Sequence, residues 1–196
     1  MNLKQTQAIL GKVDIYIIDQ ILKGCYTTGD KILDAGCAEG RNLKWFYANH
    51  FDIYGIDTDK NRLDIAKQNY PDAASNFRVA DLEELPYGEN EFHHILCSAV
   101  LHFANSETHF FKMFGELVRV LIPNGTLFIR MASDIGLNGN IPCLTESKTN
   151  RPGTFFLTRA HIKKVLNTYK IELLEPVKTT NVEDKRAMTT LVFYKS

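Results

Sequence analysis

The prediction of the fold starts from the segment KILDAGCAEGRN (residues 31–42). It opens as a short apolar strand that reaches Asp34 and Gly36, and a helical pattern follows it. Gly36 and Gly40 permit a tight turn and allow the backbone to approach a ligand closely. Their G-x-x-x-G spacing lacks the middle glycine of the G-x-G-x-x-G loop that binds a dinucleotide pyrophosphate. A plain strand-to-helix turn without a ligand is the alternative interpretation of this loop.

From this segment onward, short β-rich runs alternate with helical patterns. Further strands are predicted at residues 52–57, 76–81, 93–100 and 126–131. A last helix begins after Thr158, and two strands at residues 170–177 and 187–195 flank a polar turn, so they can pair as an antiparallel hairpin. The predicted fold is α/β: a Rossmann-like, doubly wound, mostly parallel seven-stranded sheet with a C-terminal antiparallel hairpin. A single domain is expected over residues 1–196.

Two segments outside this alternation are predicted to cover the ligand-binding edge of the sheet. In residues 1–30 an apolar residue recurs at every fourth position, which predicts one amphipathic cap helix. Residues 132–157 follow the fifth strand without periodicity, which predicts a loop on the substrate side. Tyr16 and Arg151 are the candidate substrate-binding residues, and Arg151 can pair with a carboxylate. A solvated loop without a substrate contact is the alternative.

The charge balance and the cysteine pattern argue against several classes of protein. Lys+Arg number 23 and Asp+Glu number 23, so the chain has no electrostatic footprint for nucleic acid or an anionic membrane. The four cysteines form no C-x-x-C pair, and no metal site is expected. No apolar run approaches the roughly 20 residues that span a bilayer, and Asp14 and Asp19 interrupt the N-terminal apolar stretch, unlike a secretion signal. We therefore expect a cytoplasmic protein that binds neither nucleic acid nor membrane.

Acidic residues end three successive predicted strands. In a doubly wound sheet the ligand lies beyond the carboxyl ends of the strands, so these acids are expected on its side. Asp34 precedes the glycine loop, Asp57 can accept hydrogen bonds from a ribose diol, and Asp81 can accept from an adenine amino group. Each acid alone is better explained as a solvated strand end, and Asp57 could equally cap the next helix. The three together, with the glycine loop, favour a nucleoside ligand.

In order along the chain, these motifs resemble those of class I S-adenosylmethionine-dependent methyltransferases. The matching runs are KILDAGCAEGRN, YGIDTD, VADLEELPYGENEF, LCSAVLHF and LVRVLIPNGTLFI, within residues 31–196. The GRN at residues 40–42 is most similar to the small-molecule enzymes of the tellurite-resistance and thiol-methylating type. The resemblance implies S-adenosylmethionine as cofactor, S-adenosylhomocysteine as its product and a small-molecule methyl acceptor.

The resemblance also implies a role for each strand end. Asp34 and the glycine loop would shape the pocket for the methionine portion, Asp57 would hold the ribose hydroxyls, and Asp81 the adenine amino group. Ser98 would approach the sulfonium through its carbonyl. The family commonly has an aspartate at the position of His93, so any role of that acid is absent here. The implied cofactor-binding residues are Asp34, Gly36, Cys37, Ala38, Gly40, Asp57, Thr58, Asp81, Leu82 and Ser98.

Methyl transfer is an in-line displacement at a carbon activated by positive sulfur, so it depends mainly on alignment and on exclusion of water. His102, four residues after Ser98, is the candidate catalytic residue, since a histidine can act as a general base near neutral pH. Packing against the cofactor is its alternative role. The favoured function is methyl transfer to a small molecule; a protein or RNA acceptor, or a non-catalytic cofactor-binding domain, are the alternatives. The methylated atom and the oligomeric state stay open.

Overall fold

The computed structural model describes residues 2–139 and 154–196, and a mixed β-sheet forms its centre. Within these residues the strands are β1 (Lys31–Ala35), β2 (Asp52–Asp57), β3 (Phe77–Val79), β4 (Phe92–Ser98), β5 (Leu121–Ser133), β6 (Ile171–Leu173), β7 (Lys178–Val182) and β8 (Arg186–Lys195). The sheet order is β3-β2-β1-β4-β5-β8-β6, and β7 pairs along β8. Strands β1 to β5 are parallel, whereas β8 runs antiparallel to β5, β6 and β7.

Helices cover both faces of this sheet, as the alternation of strands and helices predicts. They are α1 (Leu3–Leu10), α2 (Ile15–Leu22), α3 (Lys44–Ala48), α4 (Lys60–Asn69), α5 (Glu107–Val120) and α6 (Arg159–Thr168). Successive residues of one strand fall into different buried clusters: Ile32 packs with α2, α3 and α4, and Leu33 packs with α5 and α6. This is the pattern of a strand buried on both faces. The Rossmann-like, doubly wound fold with antiparallel C-terminal strands is confirmed.

The C-terminal segment differs from the prediction, because the polar turn expected between the last two strands contains β7. The sheet therefore has eight strands in the described residues rather than seven. Glu183 and Asp184 have positive φ angles of 52° and 53°, which allow the chain to reverse directly from β7 into β8. Lys178–Val182 is rich in threonine, which favours strands, and its polar residues are tolerated because β7 lies at the edge of the sheet.

The N-terminal cap is also different, since two helices replace the single helix predicted within residues 1–30. Gly11, with a φ of 60°, ends α1, and no residue of α1 is buried. Asp14 begins α2, because its side chain accepts a hydrogen bond from the Tyr16 N–H at 3.0 Å. The N-cap residue Asp14 lies inside the stretch in which apolar residues recur at every fourth position. This repeat alone therefore does not show that the segment forms two helices rather than one.

The predicted substrate-side loop, residues 132–157, is described only at its ends. Leu157 forms a parallel bridge with Ser133, and the Phe155 N–H donates to the His102 carbonyl at 3.0 Å. Both described ends of the segment are thus attached close to the carboxyl end of β5. Arg151 lies outside the described residues. Among the residues described, no helix combines the length and apolar character needed to cross a membrane.

Candidate active site

The strand order reverses between β1 and β4, which are neighbours in the sheet although β2 and β3 separate them in sequence. Ligands of doubly wound sheets bind in the crevice at such a reversal. The loops that follow β1 and β4 meet there, because Val100 packs so closely on Gly36 that a Cβ on the glycine would lie 2.3 Å from Val100 Cγ2. Ala38 and Ala99, one on each loop, have positive φ angles of 50° and 64°. Such backbone strain is concentrated at functional sites.

Strand β2 and the residues after α4 hold the glycine loop in place. The N–H groups of Gly36 and Cys37 both donate to the Ile56 carbonyl, at 2.9 and 2.8 Å. The Tyr70 hydroxyl donates to the Gly40 carbonyl at 2.6 Å, and a Cβ on Gly40 would lie 2.5 Å from the tyrosine ring. The protein's own packing therefore requires both glycines. The two glycines are therefore consistent with a plain strand-to-helix turn that binds nothing. The evidence for a ligand has to come from other residues.

Asp34 is the residue of the loop whose environment points to a ligand. It lies at the end of β1 with 1% of its surface exposed, and among the described residues neither carboxylate oxygen has a hydrogen-bond partner within 3.5 Å. Burial raises the pKa of Asp34 to about 7, and the charge of Asp57 contributes to the rise, although the nearby Arg41 charge and the Asn42 side chain oppose it. A buried carboxylate without a partner is costly, so this group fits a cationic or hydrogen-bond-donating ligand.

Asp57 lies at the tip of β2 and joins the two neighbouring loops. Its Oδ2 accepts from the Ala38 N–H at 2.8 Å, and its Oδ1 accepts from the Asp59 N–H at 2.9 Å. Thr58 is exposed beside it and does not cap α4, because Asp59 is the N-cap residue. The structure thus brings Asp57 and Ala38 together, as expected if both line one pocket.

Asp81 and Leu82 follow β3, one strand further from the reversal. Asp81 is exposed, and its Oδ1 accepts from the Glu83 N–H at 2.9 Å, while Leu82 is buried with 5% of its surface exposed. Asp81, Glu83 and His109 bring ligand atoms within 4.8 Å of one another, a geometry that can hold a metal ion. Lys112 Nζ already lies 2.7 Å from Glu83 Oε2, so this group is better described as an ion-pair cluster.

Ser98, at the end of β4, belongs to a buried polar chain that the sequence did not predict. Its hydroxyl donates to Asp14 Oδ2 at 2.9 Å, and the Asp14 N–H donates to Asn42 Oδ1 at 3.2 Å. Asp14, Asn42 and Ser98 are all buried. The start of α2 is thereby fixed over the ends of β1 and β4. The only sequence signal for Asp14 is that it interrupts an apolar stretch.

Arg130 and Tyr16 extend this polar chain toward β5. Arg130 Nη1 lies 3.5 Å from Asp14 Oδ2, and its guanidinium carbon lies 5.0 Å from the centre of the Tyr16 ring. The Tyr16 hydroxyl is hydrogen-bonded to Thr180 Oγ1 of β7. The predicted substrate residue Tyr16 is therefore next to Arg130, which sequence reasoning missed although it interrupts the apolar run of the fifth strand.

His102 lies in the turn after β4 and is buried, with 5% of its surface exposed. Its Nδ1 has no hydrogen-bond partner within residues 2–139 and 154–196, and its ring packs 4.5 Å from that of Phe103, measured between centroids. Burial lowers the pKa of His102 to about 4. The ring is therefore neutral at physiological pH.

Comparison with known proteins agrees with this arrangement of strand ends. A family model described as "Methyltransferase domain" matches residues 33–129, from β1 to β5. Residues 33–129 therefore form a methyltransferase domain of the class I S-adenosylmethionine-dependent superfamily.

Similar proteins within this superfamily differ in the acceptors that their names specify. The chain is 23% identical over 156 residues to the malonyl-[acyl-carrier protein] O-methyltransferase of Serratia marcescens, covering 80% of this chain and 59% of that protein. It is 34% identical over 102 residues to a tRNA (carboxymethyluridine(34)-5-O)-methyltransferase of Arabidopsis thaliana, covering 52% and 24%. The chain thus spans less than two thirds of the length of these curated relatives.

A solved structure supports the fold over nearly the whole chain. The TehB-like S-adenosylmethionine-dependent methyltransferase of Corynebacterium glutamicum superposes with a TM-score of 0.68 at 24% identity, over 98% of this chain and 94% of that one. His93, at the position where the family resemblance implies an aspartate, lies at the start of β4. Its Nδ1 accepts from the Lys31 N–H at 3.0 Å, so the ring joins β4 to β1 far from the glycine loop.

Proposed function

We propose that this protein transfers a methyl group from S-adenosylmethionine to a small-molecule acceptor. The observation that carries the proposal is the unpartnered carboxylate of Asp34, buried where the strand order reverses. An amino-acid ammonium group is the complement that such a carboxylate needs. A dinucleotide brings phosphates rather than an ammonium group, and an anion beside Asp34 would be repelled.

The residues around Asp34 fit the remaining parts of the cofactor. Asp57, half-buried at the tip of β2, has the carboxylate that would accept from the ribose hydroxyls, and the N–H of Ala38 and that of Asp59 hold it in place. Asp81 and buried Leu82, at the end of β3, would hold the adenine. Cys37 and Ala38 would contribute backbone, and Ser98 its carbonyl, near the methionine portion.

The cofactor supplies a methyl group on positively charged sulfur, so the chain has to align the acceptor and exclude water. The start of α2 contributes to both tasks, because buried Asp14 fastens it to Ser98 beside the reversal point. A site covered in this way suits a small acceptor better than a folded protein or an RNA. The balance of 23 basic and 23 acidic residues supports the same choice.

Calorimetry with S-adenosylmethionine, S-adenosylhomocysteine and NAD tests the cofactor part of the proposal. We expect both adenosyl compounds to bind one site per chain with micromolar affinity, about −8 kcal/mol, and NAD to bind far more weakly. Binding of NAD without binding of either adenosyl compound would refute the proposal. Incubation with labelled S-adenosylmethionine and pooled metabolites, with a matched pool of RNA and protein, then separates the acceptor classes.

Asp57→Ala is expected to weaken S-adenosylhomocysteine binding by about 2–3 kcal/mol, since the ribose diol would lose a charged acceptor. Asp59→Ala is the matched control, because Asp59 caps α4 through the N–H groups of Asn61 and Arg62. It should lower the free energy of unfolding by about 1 kcal/mol and leave the affinity unchanged. Calorimetry and thermal unfolding of both variants provide the two readouts. Equal affinities for Asp57→Ala and the wild type would mean that Asp57 only organises the loops.

His102 is expected to stay neutral throughout the pH range in which the protein is active. Its pKa, lowered to about 4, means that the unfolded chain binds a proton before the folded protein does. The neutral ring therefore contributes stability that is lost as the pH falls from about 6.5 toward 4. NMR titration of the histidine Cε1–H signals, with His102→Asn to assign the signal, measures this directly. A His102 signal that titrates between about pH 6 and 7 would restore it as a candidate general base.

A further inference from the structure

Arg130 is a charged residue in a buried part of β5. Its neighbours in the strand, Phe128, Ile129 and Met131, are each exposed by 1% or less. The Arg130 side chain itself is 21% exposed, so most of it is removed from water. A charge in such a place is stable only when partners replace its hydration. The groups that contact the Arg130 guanidinium therefore indicate which kind of ligand could complete its pairing.

The described residues give Arg130 fewer partners than a guanidinium requires. Its five N–H groups include a buried Nε that has no hydrogen-bond partner. Its one ion pair, Nη1 to Asp14 Oδ2, is long at 3.5 Å. That oxygen already accepts from the Ser98 hydroxyl at 2.9 Å, and Asp14 Oδ1 accepts from the Tyr16 N–H. Asp14 is thus engaged in holding α2, and the planar fork of Arg130 has no bidentate partner.

Three hydroxyl-bearing residues lie in the neighbourhood of this incompletely paired cation. The Tyr16 ring lies under the guanidinium, and its hydroxyl meets that of Thr180. Thr190 is directly opposite Arg130 in the β5–β8 register, and its buried Oγ1 has no hydrogen-bond partner in the described part of the chain. Cross-strand neighbours share one face of a sheet, so Thr190 and Arg130 lie on the same side. Arg130 and these hydroxyl-bearing residues together offer one cation and neutral hydrogen-bond donors, as an anion-binding site does.

We propose that Arg130 binds a carboxylate of the methyl acceptor, with Tyr16, Thr180 and Thr190 forming the surrounding polar wall. The proposal rests on the methyltransferase function proposed above and names the chemical class of its acceptor. The polar chain from Asn42 through Asp14 to Arg130 places this subsite beside the predicted cofactor residue Ser98. Arg130 would then be a specificity-determining residue that orients the acceptor toward the methyl group.

The charge of the neighbourhood favours a carboxylate over a phosphate monoester. Asp14 offsets part of the Arg130 charge, so the subsite can accept one negative charge but would repel a second. A guanidinium pairs bidentately with a planar carboxylate, using the N–H groups that are unpaired here.

The test uses the complex of the full chain with S-adenosylhomocysteine and small probes. Benzoate and hexanoate are compared with benzamide, hexanamide and phenyl phosphate by saturation-transfer NMR and by titration. We expect each carboxylate to bind about tenfold or more tightly than its amide. Arg130→Gln should remove that preference, whereas Arg159→Gln, at an exposed position on α6, should retain it. Arg130→Lys, which keeps the charge without the planar fork, should restore part of it.

The affinity for S-adenosylhomocysteine separates this inference from the proposed function. The affinity of Arg130→Gln and of Arg130→Lys for S-adenosylhomocysteine should stay within about threefold of the wild-type affinity, since neither substitution removes a cofactor contact. Equal binding of acids and amides, no binding of either carboxylate, or tighter binding of phenyl phosphate would overturn the inference alone. Failure of the wild type to bind S-adenosylhomocysteine would overturn the proposed function and this inference together. If Arg130→Gln does not fold, Arg130→Lys decides. A folded Arg130→Lys that still binds carboxylates more tightly than amides supports the inference, and any other result means that Arg130 has a structural role only.

Discussion

Gly36→Ala is expected to lower the free energy of unfolding by about 3 kcal/mol, which for a chain of this size lowers the melting temperature by about 6–12 °C. Two separate causes contribute. Gly36 has a φ of 82°, a conformation that costs a residue with a side chain about 1 kcal/mol. The new Cβ would also lie 2.3 Å from Val100 Cγ2 and 3.0 Å from Cγ1, so the loops after β1 and β4 would have to separate.

Two companion variants divide the effect between these causes. Gly24 has a similar φ of 72° but nothing within 4 Å of an added Cβ, so Gly24→Ala measures the backbone cost alone. The double variant Gly36→Ala/Val100→Ala removes the clash and should recover the larger part of the loss. Thermal and denaturant unfolding of all four proteins gives the comparison. If Gly36→Ala is no more destabilising than Gly24→Ala, Val100 moves aside freely and the two loops are not rigidly packed.

The fold was predictable because the elements that define it are local and periodic. Thr158 begins α6 as expected, and Ser106 begins α5 in the same way, each accepting from the N–H three residues later. The mistakes were made where a local signal competed with periodicity. Asp14 caps a helix inside an apolar repeat, and the threonines of β7 were taken for a turn because their edge position is not visible in the sequence.

The candidate site was only partly predictable, for a different reason. Asp34, Asp57 and Asp81 end successive strands, so the topology alone assembles them at one edge of the sheet. Arg130 and Asp14 meet because a helix from the N-terminus folds over β4 and β5, and no short motif spans that distance. The burial of His102 was equally hidden: its position four residues after Ser98 does not show that enclosure lowers its pKa to about 4.

The affinity for S-adenosylhomocysteine is expected to rise with pH up to about 7 and then to level off, because of Asp34. Burial, with a contribution from Asp57, raises the pKa of this carboxyl to about 7 in the unliganded protein, against the charge of Arg41 and the Asn42 side chain. An ammonium group beside it favours the ionised form, so binding below that pKa releases a proton. Each unit of pH below about 7 should therefore weaken binding up to tenfold.

The stability of the unliganded protein should respond to Asp34 in the opposite direction. Between about pH 4 and 7 the folded protein retains a proton that the unfolded chain, with an ordinary carboxyl pKa of 3.8, has released. Stability from this group therefore falls as the pH rises through that window. Asp34→Asn keeps the shape of the side chain but removes its ionisable group. The stability of this variant should therefore lose this pH dependence and be higher than that of the wild type near neutral pH.

Asp34→Asn should also bind S-adenosylhomocysteine about 10²–10³-fold more weakly than the wild type at pH 8, since the ammonium group would be buried without its counter-charge. Asp72→Asn, at an exposed acid that accepts from the Tyr47 hydroxyl, is the matched control and should bind normally. Calorimetry in buffers of different ionisation enthalpy counts the released proton directly. The opposing pH trends of affinity and stability are what a merely structural aspartate would not produce. Wild-type affinity that is constant from pH 5 to 8, with no proton released, would mean that Asp34 does not face the ammonium group, and the unpartnered carboxylate would need another explanation.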